Sequence, residues 1–163
     1  MRNLLLALAL YFVSSFALTA ADMPPIHFQQ LAPGQQLTVT KVIYAWEVPG
    51  MVPDKEVFDF RMIDGKLTVE VSRVEKAKDT PEKKTVLGKT ELTAKEAGEL
   101  DQLMDLYRKR NPHHDLVVEN LELTLQDQGG KVVSKESYVD ETGLRDKAEL
   151  TRFSTIVSKL SKP

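Results

Sequence analysis

No cysteine occurs among the 163 residues. Disulfides, thiolate metal sites and cysteine nucleophiles are therefore excluded outright, and so is a lipid carried on a lipoprotein cysteine. Charge of one sign is not in excess either. Lys and Arg number 22 against 24 Asp and Glu, a net charge of −2 at pH 7 with neutral histidines. A nucleic-acid binder needs a basic face, whereas the interspersed signs here read as an ordinary solvated surface. There is no P-loop and no G-x-G-x-x-G, and no serine stands in a G-x-S-x-G setting. Asp127-x-Gly129-Gly130 lacks the ligand series of a calcium loop.

Long apolar runs are absent with one exception, at the start of the chain. Arg2 precedes an unbroken apolar run from Leu4 to Val13. Ser14 and Ser15 loosen it, and Thr19-Ala20-Ala21 supplies small residues for a peptidase. A charged start, a short apolar core and a small-residue cleavage site make a secretory signal peptide of residues 1–21. The expected cut falls between Ala21 and Asp22, with Ala20/Ala21 as the alternative. An uncleaved anchor would need about 20 apolar residues, more than Leu4 to Leu18 provides. The product is expected to be free in an exported compartment, secreted or periplasmic, with the bacterial envelope favoured by the lack of disulfides.

Arg2 is the segment's only charged residue, so its removal leaves 21 Lys and Arg against 24 Asp and Glu, a net charge of −3. What remains is of single-domain size and buries enough surface for a core without staples. Residues 22–36 read as a flexible leader, because Pro24-Pro25 and Pro33-Gly34 deny it regular structure. Residues 37–163 then form one domain. Leu37 to Val48 has the β-branched and aromatic content of a strand. Phe58, Phe60 and Met62 alternate with polar residues, as do Leu67, Val69 and Val71, and Asp64-Gly65 between them suits a type I′ hairpin turn. Residues 75–85 read as a charged loop. Val86-Leu87 heads a short strand, with Gly88 at a bulge or an edge.

Thr93-x-x-Glu96 is a capping box and opens a helix. Ala97, Leu100, Leu103, Met104 and Tyr107 fall on one face of it. Asn111-Pro112 ends it. A second β block follows, with Val117, Leu121, Leu123 and Leu125 of one parity. Asp127 to Gly130 turns the chain, and Lys131 to Val139 returns. In the last helix Ala148, Phe153, Ile156, Val157 and Leu160 repeat at helical spacing. The expected fold is α+β: a mainly antiparallel sheet of about five or six strands, with two amphipathic helices packed on one face. The hairpin, the helix started by Leu92-Thr93-Ala94-Lys95-Glu96, the second hairpin and the final helix resemble in layout small bacterial protease-inhibitor domains of the emfourin type. The likeness spans about residues 56–160 and is one of architecture, so no functional residue carries over from it.

Chemistry-bearing clusters are sparse. His113-His114-Asp115 offers zinc or copper ligands, yet adjacent residues seldom face one ion, and a solvated loop after a helix end explains the cluster equally. His27 would be a terminal ligand at most. Two features point to binding. Tyr44 and Trp46 share the even-numbered face of the first strand, an interaction patch if no helix covers it and core if one does. Met51 and Val52 sit between Pro49 and Pro53, where they form a stiff protrusion or fold back as a lid. The expectation is an exported, non-enzymatic module that binds an envelope or extracellular protein or a small ligand. It uses Tyr44, Trp46, Met51 and Val52, and no cofactor, nucleic acid or membrane. The alternatives are a metal-dependent or hydrolytic enzyme using His113 and His114, and a structural envelope protein.

Overall fold

The computed structural model describes residues 23–43, 55–75, 81–109, 119–140 and 152–160. Tyr44, Trp46, Met51, Val52, His113, His114 and Asp115 lie outside the described residues, as do the signal segment and Ala148.

Six strands and two helices follow in the order β1 (Gln36–Ile43), β2 (Lys55–Ile63), β3 (Lys66–Glu75), β4 (Lys83–Leu92), α1 (Ala94–Lys109), β5 (Glu119–Gln126), β6 (Val132–Asp140) and α2 (Phe153–Leu160). They build one sheet in the order β4-β3-β2-β1-β5-β6, antiparallel at every pairing. The fold is α+β, as the pattern of hairpins and helices implies. Asp64 and Gly65 take φ of +51° and +75°, the left-handed pair that a type I′ turn demands. That turn fixes the register Phe58↔Val71 and Phe60↔Val69. β1 continues it, with Val39 between Phe58 and Leu123.

Strand alternation then collects the apolar residues on one face. Leu37, Val39, Phe58, Phe60, Val69, Val71, Leu121 and Leu123 are all within 1% of fully buried. Both helices contribute to this core. α1 buries Ala97, Leu100, Leu103, Met104 and Tyr107, the five positions its periodicity predicts. Its capping box is formed: the Thr93 amide donates to Glu96 Oε2 at 2.8 Å and the Glu96 amide donates to Thr93 Oγ1 at 3.2 Å. α2 buries Phe153 and Ile156, and the Phe153 ring lies 5.1 Å from that of Phe58.

Two expectations need correction. Residues 23–35 are not a leader outside the domain. Ile26, Phe28 and Leu31 are core residues, and the Phe28 ring sits edge-on to Phe60 at 4.9 Å. The prolines do keep the segment largely irregular, so side chains satisfy its backbone. Ser134 Oγ donates to the Pro24 carbonyl at 2.7 Å, Arg108 Nη2 donates to the Ile26 carbonyl at 2.6 Å, and the Phe28 amide donates to Asp101 Oδ1 at 2.6 Å. Glu136 accepts from the Ile26 amide and pairs with Arg108 Nη2 at 2.9 Å. The second correction concerns β4, which is a full ten-residue strand. Val71 faces Gly88 while Ser72 faces Val86, so Leu87 is the extra residue of a bulge and breaks the period-two pattern. Gly88 does mark that bulge, on an edge strand.

Candidate functional site

With the apolar stripes of both helices spent on one face, the opposite face of the sheet carries no described helix. Its residues are those of the other parity, and the register sets them in rows. From β6 to β4 the central row runs Lys135, Thr124, Thr38, Asp59, Glu70 and Lys89. The next row, toward the β2–β3 turn, runs Gln126, Gln36, Arg61, Thr68 and Glu91.

Asp59 is the hub. It accepts from Thr38 Oγ1 at 2.7 Å and from Gln36 Nε2 at 3.1 Å, and Lys84 Nζ lies 3.6 Å away. Gln36 Oε1 in turn accepts from Arg61 Nη2 at 2.7 Å. Glu70 stands directly opposite Asp59, an unfavourable like-charge pairing offset from β4, where Lys84 pairs with Asp59 and Lys89 stands opposite Glu70. A depression of about 70 Å³ lies among Asp59, Arg61, Thr68, Glu70 and Lys89. Farther along, the hydroxyl of Ser72 is buried without a hydrogen-bond partner, on a strand position flanked by Val57 and Val86.

A larger concavity of about 430 Å³ opens where the second row meets two turns. Gln35, Gln36, Gln126 and Gln128 line it with Arg61, Ile63 and Asp127. Gly34, at φ +85°, lets the first turn approach the second. A Cβ there would stand 3.3 Å from three atoms of the Gln128 side chain. Asp127 locks the second turn by accepting from the Gly129 and Lys131 amides, each at 2.9 Å.

On the helix side, a cleft of about 670 Å³ lies at the start of α1, against Phe28, Met62, Leu67, Leu92 and Ala97. Its two rim charges are paired, Lys66 Nζ to Glu91 Oε2 at 2.8 Å, and the helix terminus beside it is occupied by its own capping box.

No protein-family model, curated protein or solved structure matches this chain.

The proposed binders Tyr44, Trp46, Met51 and Val52 and the alternative pair His113 and His114 lie outside the described residues. Val42, the last described residue of the parity that Tyr44 and Trp46 share, is 8% exposed. That parity is the one turned away from the helices. His27 does not gather ligands: Nδ1 stands 3.9 Å from Asp101 Oδ1, and among the described residues no three His, Cys, Asp or Glu come together. Sequence reasoning missed Gln35, Gln36, Arg61, Gln126 and Gln128. The available signal was the polar parity of each strand, which marks an uncovered face once the apolar parity is given to the core.

Proposed function

We propose that this chain is an exported, non-enzymatic binding domain whose partner seats on the sheet face opposite the helices. The supporting observation is the hydrogen-bonded row Arg61–Gln36–Asp59–Thr38 on that face. These polar side chains are held in place across β1 and β2 and serve no part of the core. A prearranged polar surface binds with less loss of side-chain freedom than a mobile one. The even-numbered parity of β1 extends the surface in sequence toward Tyr44 and Trp46. Export rests on the signal-like residues 1–21.

The test compares two immobilised forms of residues 22–163, the natural sequence and the double variant Thr38→Arg/Thr124→Arg, each incubated with an envelope extract of the source cells. The expected result is a partner or ligand retained by the natural sequence and lost from the variant, with unchanged circular dichroism. Equal retention by both forms would remove this face from the function.

A further inference from the structure

We propose that the glutamine-rich concavity beside the start of β1 binds a neutral, hydroxyl-rich ligand of the oligosaccharide class. The proposal rests on the reading of this face as the binding surface and names what it takes.

Each carboxamide carries two donors and an acceptor, the complement of a sugar's hydroxyls. Gln36 is fixed by Arg61 on one side and by Asp59 on the other. Gln35 Oε1 accepts from the Ala32 amide at 2.9 Å, which aims that side chain. Gln126 and Gln128 spend their amides on no described residue. Arg61 and Asp127 leave the lining with no net charge, Arg61 Nη2 is engaged by Gln36 Oε1, and Asp127 Oδ1 is occupied by two backbone amides. The glutamines therefore supply most of the hydrogen-bonding groups that the concavity presents. Ile63, 39% exposed, adds an apolar strip for the C–H face of a pyranose. The volume of about 430 Å³ falls in the range of small-ligand sites. An extended peptide is disfavoured, because β1 is hydrogen-bonded on both sides, to β2 and β5, and offers no free edge for strand addition. The walls are preset by the contact of Gly34 with Gln128 and by the Asp127 turn, so little ordering is left to the ligand.

The experiment follows the side-chain amide signals of Gln126 and Gln128 in ¹⁵N-labelled residues 22–163. Maltotriose, cellotriose and chitotriose are the probes, with triglycine and inorganic phosphate as comparisons. At least one saccharide should give saturable shifts at both glutamines. Gln126→Leu and Gln128→Leu should each weaken that binding about tenfold or more while leaving the backbone spectrum in place. No saturable shift with any saccharide, or equal shifts with triglycine or phosphate, would overturn the proposal. Saccharide shifts confined to Thr38 and Glu70 would overturn the glutamine site while leaving the face as a binding surface. Equal retention in the Thr38→Arg/Thr124→Arg comparison would overturn both.

Discussion

Glu96 serves two elements at once. Its carboxylate closes the α1 capping box with Thr93 and also pairs with Lys159 of α2. Burial alone would raise its pKa. The hydrogen bonds from Lys159 and Thr93 outweigh that and hold it below the ordinary value of 4.5. A carboxyl lowered on folding stabilises the fold above its ordinary value, and this stabilisation is lost as pH falls through the lowered one. Thermal melts of the natural protein should therefore drop below pH 4.5 by more than those of Glu96→Gln, with the two curves converging in acid. The glutamine keeps the capping geometry, so the difference isolates the charge. Thr93→Ala removes the cap itself and should cost about 1 kcal/mol in urea unfolding. Arg108 is a second such residue. Burial opposes its charge, but the pairing with Glu136 raises its pKa. Tyr138 also donates to Glu136, and its own pKa is raised by burial and by that bond. Arg108→Met leaves the Ile26 carbonyl without its donor and the Glu136 carboxylate without its counter-charge and should cost about 3 kcal/mol, read as a lower urea midpoint at unchanged slope.

At the scale of elements, the segment before β1 behaves as a structural member. Burying Ile26, Phe28 and Leu31 is worth about 1.5–3 kcal/mol each, comparable in sum with the whole stability of a small domain. A chain beginning at Asp22 should melt cooperatively, whereas one beginning at Gln35 should lose its cooperative transition in calorimetry. At Gly88 the bulge and α2 meet: φ is +155°, and a Cβ would stand 3.2 Å from Leu160. Gly88→Val should lower the melting temperature, and Leu160→Ala should reduce that penalty by removing the Cδ atoms a Cβ would meet. These elements also show what was legible in advance. α1 was readable down to its five buried positions because cap, period and stop agree. The pre-β1 segment was not, because its backbone is satisfied by side chains from Asp101, Arg108, Ser134 and Glu136, all far along the chain. β4 was hidden by its bulge and its run of lysines. The glutamines of the candidate site were hidden for a different reason. Gln35 and Gln36 meet Gln126 and Gln128 only through the β1–β5 register, which no local pattern encodes.

For the molecule as a whole, stability and surface are divided between the two faces of one sheet. The core lies under the helices, and the polar rows lie on the other side. Thr38→Arg/Thr124→Arg removes the Thr38–Asp59 hydrogen bond and should lower the unfolding free energy by about 1 kcal/mol, leaving the fold in place while altering whatever that face engages. Equilibrium urea melts read alongside the retention experiment check both halves of this statement. The strand order has one more consequence. β1 is the first strand made and a central one in the finished sheet, with β2 on one side and β5 on the other. The ribosome delivers β2, β3, β4 and all of α1 before β5 exists. Throughout that interval the nascent half-sheet exposes the Gln36–Ile43 edge, where Val39 is still without Leu123. An apolar strand with a free edge invites pairing with other chains. Wherever the chain folds, any half-sheet formed before β5 joins would therefore be most prone to mispairing at β1.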